Sequence, residues 1–229
     1  MENSPDHVFE DRLLTEADIK SVSDAQETAL LRGCDLTGLN LSKTQMGGWK
    51  FEKCNLSRVV FNGAIMEGAV FANCRASGAS FLNAILTEAE IDGGDFSNTS
   101  FRGATLSEMK IKHCKMTGAD LSEARASGME LEDILFVFAL LPKMSFHKMS
   151  LKQIDFTEAD LRACDFREVG FDGCSLKDAN LTDCRFEHAD LRGADLGGVK
   201  LTDARRFRGA MISKQQAGDL LGQLGLMVR

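Results

Sequence analysis

The stretch FEHADLRGADL, Phe186 to Leu196, places an apolar residue at every fifth position, a period that fits neither an α-helix nor a flat β-strand. Counting in fives from Leu36 meets an apolar residue at every step to Leu131, and the count resumes in phase at Phe146 and runs to Leu201. With 44% of the chain apolar, a run of this length has a chance probability on the order of 10⁻¹¹. Two residues before the large position stands a small one, as at Cys34, Ala64, Cys74, Ala84, Cys114, Ala159, Cys164 and Ala194. Large beside small at fixed spacing is what close packing inside a narrow tube requires. Two residues after the large position glycine recurs, at Gly33, Gly38, Gly63, Gly68, Gly78, Gly103, Gly118, Gly173, Gly193 and Gly198, which predicts a turn with positive φ at each corner.

Longer spacings count the sides of the coil. Cys34, Cys54, Cys74, Cys114 and Cys174 are separated by multiples of twenty, as are Cys164 and Cys184. Phe61, Phe81 and Phe101 stack in the same way, and so do Phe146, Phe166 and Phe186. Four pentapeptides per coil is the simplest explanation, with successive coils at strand spacing, roughly 4.8 Å apart.

The segments ADLSEA, ADLRAC, ANLTDC and ADLRGADL look like the A(D/N)LXX motif of the pentapeptide-repeat family. That resemblance covers roughly residues 31–212 and implies an all-β fold, a right-handed quadrilateral β-helix with the large residue and the small one before it pointing inward.

Three segments break the rhythm. Residues 1–30 form an acidic N-terminal cap, in which Phe9, Leu14 and Ile19 keep the spacing but lie out of phase with Leu31. They predict a first irregular coil followed by an insertion, the segment between being either a short surface loop or a capping helix starting at Asp24, with Glu27 three residues on. Between the β-helical spans 31–131 and 146–212, residues 132–145 (EDILFVFALLPKMS) interrupt the motif. Either an apolar loop presents Leu135, Phe136, Phe138 and Leu141 to a partner, or a distorted coil swallows them. At the back the phase slips by one, to Phe207 and Ile212, before residues 213–229 abandon the repeat. There Ser213 can cap a short helix that Gly225 ends, with Leu220, Leu221 and Leu224 on one side. Such a helix is a lid, a two-fold contact, or both. The tail, through Gln216, Leu220, Leu221, Leu224, Gly225, Leu226 and Val228, resembles the C-terminus of the quinolone-resistance (Qnr-type) members. That resemblance implies a homodimer whose interface includes Leu220, Leu221, Leu224 and Leu226.

Little points to chemistry. Seven cysteines, an odd number, in the small inward column read as compact apolar groups in a reduced protein. No CxxC or HxxxH spacing suggests a metal, and His113, His147 and His188 fall on outward positions of different coils. A filled tube offers no cleft, so the expectation is a protein that is not an enzyme and needs no cofactor. With neither a secretory signal nor a membrane span in the sequence, a cytoplasmic location is expected.

What remains is surface. The formal charge of −7 argues against direct nucleic-acid binding, and it is unevenly spread: residues 1–30 carry −6, 31–131 carry zero, 146–204 carry −4 and 205–229 carry +4. Two sides of the second half gather Asp155, Glu158, Asp160, Asp178, Asp183, Asp195 and Asp203 into an acidic edge. This edge is either solubility or an imitation of DNA aimed at a protein that holds DNA. With the family resemblance, the second reading implies a partner in type II topoisomerase (gyrase or topoisomerase IV), shielded from quinolones or related poisons. The alternative is an interaction scaffold in signalling or as an effector, unrelated to topoisomerase. The absence of tyrosine and the single tryptophan, Trp49, leave few hot-spot anchors on the coils.

Overall fold

The computed structural model describes residues 4–199, 204–222 and 225–227, and the chain divides into two compact units, Met1–Ile134 and Leu135–Arg229. Each unit is a parallel β-solenoid with four sides per coil.

In the first unit, strands β1 (His7–Glu10), β2 (Ala29–Arg32), β3 (Lys50–Glu52), β4 (Val70–Arg75), β5 (Glu90–Asp95), β6 (Lys110–Lys115) and β7 (Glu130–Leu135) follow one another up one side. Leu31, Phe51, Phe71, Ile91 and Ile111 pair successively, each twenty residues from the last. The remaining sides are stitched by parallel bridges such as Asp35↔Asn55, Asn40↔Val60 and Gln45↔Ile65, again twenty residues apart. Bridges at every fifth residue settle the count of four pentapeptides per coil. The ladder satisfies the backbone without helices: Phe61 N donates to Ser80 O at 2.7 Å and Phe81 N to Ser100 O at 2.7 Å.

The large central residues fill the tube. Phe51, Phe61, Phe71, Phe81, Phe96 and Phe101 are buried, and the rings stack between coils, Phe61 on Phe81 at 4.8 Å and Phe81 on Phe101 at 5.0 Å. Burial contributes about 1.5–3 kcal/mol per ring, and stacking adds roughly 0.5–1.5 kcal/mol. All seven cysteines are buried free thiols, and Cys54 Sγ donates to Leu31 O at 3.3 Å. Burial, with Asp95 and Asp92 adding to it, pushes the Cys114 thiol up to about 12, so this sulfur is an inert packing group. The glycines of the sequence pattern have positive φ, with one exception: Gly193 lies at a register irregularity where the strand Asp190–Asp195 pairs with the strand Gly170–Ser175, close to the carbonyl of Phe171.

The N-terminus differs from both sequence readings in one respect. A first irregular coil is present, since Phe9 pairs with Leu31 at a spacing of twenty-two residues and Leu14 is buried. The insertion after it is a helix, α1 (Glu16–Asp24), which ends at Asp24 rather than starting there. Its N-cap is Thr15, whose Oγ1 accepts from Asp18 N while Asp18 Oδ2 accepts from Thr15 N, the reciprocal capping box. The helix buries Ile19, Val22 and Ser23 against the open end of the tube, and its side chains stand in for a missing coil. Glu16 Oε1 accepts from Asn40 N and Ser23 Oγ from Gln45 N, where regular coils use backbone carbonyls. Trp49 belongs to this cap: it is buried, and its Nε1 donates to Glu27 O at 2.9 Å.

In the second unit, β8 (Ser150–Asp155), β9 (Gly170–Ser175) and β10 (Asp190–Asp195) repeat the same geometry. A one-turn 3₁₀ segment, Ala204–Phe207, and helix α2 (Lys214–Gly222) follow. The phase slip is a single extra residue: Asp190 bridges Met211, and Leu191 N donates to Met211 O.

Residues 132–145 form no loop. β7 runs through Ile134 into Leu135, Ala139 N closes a turn on Phe136 O at 3.0 Å, and Met144 N closes another on Leu141 O at 3.4 Å. Phe136 and Leu141, expected to face a partner in the loop reading, are instead fully buried central residues. The preserved phase forces this, because both stand on the every-fifth-residue count and so point inward. Leu135 and Phe138 stand at outward positions and are exposed.

Candidate interaction surface

The outward residues of the second unit form columns in which successive members lie one coil apart. Phe138, Glu158 and Asp178 make one such column at the αL turn position, with φ of 57°, 56° and 53°. Leu135 stands over Asp155, as the bond from Phe136 N to Asp155 O at 2.8 Å shows, and Leu140 bridges Asp160. Three neighbouring columns therefore each begin with an exposed apolar side chain and continue into an acid. Leu135, Phe138 and Leu140 are 44%, 54% and 41% exposed, well above the level at which a central residue sits, so they form a patch with somewhere to go.

The acidic residues are not equivalent. Asp155 Oδ1 accepts from Thr157 N and Oγ1, and Asp195 Oδ1 accepts from Gly197 N at 2.9 Å, so both carboxylates build turns. Asp160 is held by Arg162 through Nε at 2.8 Å and a terminal guanidinium nitrogen at 2.6 Å, and Asp183 accepts from Arg206 at 2.6 Å. Glu158 and Asp178 are exposed and, among the described residues, carry no ion pair. Asp203 lies outside the described residues. The edge is thus narrower than its formal charge suggests. Sequence counting missed the reason: in Asp160–Arg162, Asp165–Arg167 and Asp190–Arg192 the acid and base flank one central residue and neutralise each other locally. The hydrogen bonds from these arginines hold the three carboxyls below the usual carboxylate range.

The C-terminal end offers a second apolar surface. Ser213 Oγ accepts from Gln216 N, and Gln216 Oε1 accepts from Ser213 N at 2.6 Å, capping α2 as expected. Gln216 Nε2 also donates to Leu191 O and Ala194 O at 2.8 and 2.7 Å, tying the helix to the last coil. Of the residues expected at a dimer contact, Leu220 is 6% exposed and turned inward, whereas Leu221 and Leu226 are exposed, and Leu224 lies outside the described residues. Met211, Ile212 and Met227 add to the exposed group. Gly225, with φ of 78°, follows the helix, and Leu226 N donates to Leu221 O.

Among the described residues no three histidine, cysteine or acidic side chains converge as a metal site, and no helix is long and apolar enough to cross a membrane. His113 and His147 pair with surface acids, Asp92 and Glu168.

A family model described as a pentapeptide repeat region matches residues 136–210, and one described as pentapeptide repeats (8 copies) matches residues 54–93, 64–103 and 99–136. No curated protein matches the chain in sequence. Among solved structures, two trypsin-treated forms of QnrB1, described as a plasmid-mediated fluoroquinolone resistance protein, align with TM-scores of 0.65 and 0.61 at 21% and 22% identity. Those alignments cover 97% and 88% of this chain and 99% of each QnrB1 chain. HetL from the cyanobacterium Nostoc, described as involved in heterocyst differentiation regulation, aligns with a TM-score of 0.37 at 24% identity over 88% of this chain and 87% of its own. With five-residue steps wound four to a coil, and matches that together run from residue 54 to residue 210, the chain belongs to the pentapeptide-repeat family.

Proposed function

We propose that the chain acts by binding rather than catalysis, and that its target is a type II topoisomerase, gyrase or topoisomerase IV, which it shields from fluoroquinolone-like poisons. The observation that carries this reading is the column Phe138, Glu158, Asp178, where an exposed apolar anchor leads into unpaired carboxylates one coil apart. A basic groove built to hold DNA attracts such a ridge electrostatically, and the apolar patch supplies contact area that DNA lacks. The description of QnrB1 as a fluoroquinolone resistance protein supports the choice of target. The protein works in the cytoplasm, where the topoisomerase is, as a homodimer joined through the exposed leucines beside α2.

The experiment is a gyrase supercoiling assay with ciprofloxacin, titrating in the purified protein. Restored supercoiling and loss of cleaved complex are expected. The paired change Glu158→Lys and Asp178→Lys should abolish protection with an unchanged far-UV spectrum. Protection that survives it would sink the mimicry mechanism, and no protection by the unaltered protein would sink the topoisomerase reading.

A further inference from the structure

We propose that the outer edge of β1 is a docking site for an extended, cationic segment of another protein, which adds to the first coil as one more strand. This site belongs to the first unit and goes beyond the topoisomerase reading.

β1 pairs with β2 on one side alone among the described residues. His7 N donates to Thr28 O and Asp11 N to Arg32 O, at 3.0 and 2.9 Å, so these alternate residues face β2. Alternation turns the amides and carbonyls of Val8 and Glu10 outward. Helix α1 closes the neighbouring part of the tube end, through Glu16 to Asn40 and Ser23 to Gln45, and among the described residues makes no hydrogen bond to β1. On β1 itself stands Val8, 55% exposed, and past the corner at Asp11 follows Leu13, 74% exposed; these are the two most exposed large apolar side chains described in this unit.

Charge selects the occupant. Asp6, Glu10 and Asp11 are exposed along or beside the strand; Glu10 pairs with Arg32 and Asp6 accepts from Thr28, whereas Asp11 carries no ion pair among the described residues and is the acid left for a partner. The nearby bases are engaged: Arg12 lies over the Phe9 ring and pairs with Asp18, and Lys20 pairs with Glu16. The same acids repel the β1 edge of a second copy, which is how edge strands are kept from pairing with themselves. They attract a strand carrying lysine or arginine, whose alternate apolar side chains meet Val8. Backbone pairing gives affinity and the alternating side chains give selectivity.

The probe is a fluorescein-labelled nonapeptide of alternating lysine and valine, titrated with the full-length protein and followed by anisotropy. Saturable binding is expected, weakened at least ten-fold when alternate peptide nitrogens are methylated, because the strand then loses its donors. Val8→Pro should weaken it similarly: that N–H faces away from β2, a position where edge strands tolerate proline, so the melting temperature should hold. Absence of binding overturns the proposal. Equal binding by the methylated peptide overturns it too, as mere adsorption to an acidic surface, and this comparison stands even if the proline variant fails to fold. Self-association of the protein alone that Val8→Pro abolishes would assign the edge to a second copy and overturn the cationic partner.

Discussion

Phe207 lies face to face with Phe186, ring centroids 4.9 Å apart and planes 5° from parallel, although twenty-one residues separate them rather than twenty. The column Phe146, Phe166, Phe186 thus gains a fourth ring across the slip, one extra residue having entered between Gly197 and Arg206 before the stack resumes. Phe207 is half-buried, so Phe207→Ala should cost about 2 kcal/mol, below the roughly 3–5 kcal/mol of a fully buried phenylalanine. A lower urea midpoint, with protection lost first around residues 186–191 in hydrogen exchange, is the expected result.

Gly103 and Gly68 share a turn position and a positive φ, 66° and 62°, yet differ in what lies beneath them. A methyl group on Gly103 would strike Asn83 Oδ1, whereas one on Gly68 would meet nothing within 4 Å. Gly68→Ala should cost the backbone term alone, about 1–2 kcal/mol. Gly103→Ala should cost measurably more, and Asn83→Ala should recover the difference in a double-mutant cycle of thermal or urea unfolding.

The neutral charge of residues 31–131 hides an ordered pattern. β6 is basic and lies between two acidic strands: Lys115 reaches Asp95 at 3.8 Å, Lys110 reaches Glu130 at 3.7 Å, and His113 Nδ1 lies 2.8 Å from Asp92 Oδ1. The hydrogen bond to Asp92, then its charge and those of Asp133 and Glu132, raise the His113 pKa. A raised histidine stabilises fully below its unfolded value, about 6.5, and loses that contribution as pH rises through its folded value. An NMR titration should place His113 above that reference, and Asp92→Asn should return it most of the way. Scanning for opposite charges twenty or twenty-one residues apart would have found these pairs from sequence, whereas net charge by segment averages them away.

How far the rest was readable depends on which period dominates locally. The central residues from Leu36 to Leu121 declare their inward direction by count alone, and the structure buries all of them. The same count places Phe136 and Leu141 inside; a loop competes with it only because Ile134 stands where the repeat has a small residue and Pro142 lacks a ladder donor, yet Ile134 too is buried. α1 was obscured because Leu14 and Ile19 satisfy a five-residue step, while Ile19 and Val22, three apart on one helix face, satisfy the helical period too. The Thr15–Asp18 capping box breaks that tie. The pairs Asp160–Arg162, Asp165–Arg167 and Asp190–Arg192 stand two residues apart and were open to a scan at that spacing, whereas Asp183–Arg206, twenty-three residues apart across the phase slip, was not.

The leucines at the C-terminus separate lid from contact. Leu220 faces the last coil and is buried, while Leu221 and Leu226 face outward. Leu220→Glu would place a charge in an apolar setting and should lower stability by several kcal/mol, with the tail becoming protease-sensitive. The paired change Leu221→Glu and Leu226→Glu leaves that packing and both Gln216 bonds in place, so the melting temperature should hold within a few degrees. If the exposed leucines form the two-fold contact, this double variant should run as a monomer by light scattering where the unaltered protein runs as a dimer. A clean dimer in the double variant would move the contact away from α2. Truncation after Arg208 is the weaker test, because it removes the lid and the contact together and exposes the carbonyls of Leu191 and Ala194 that Gln216 satisfies.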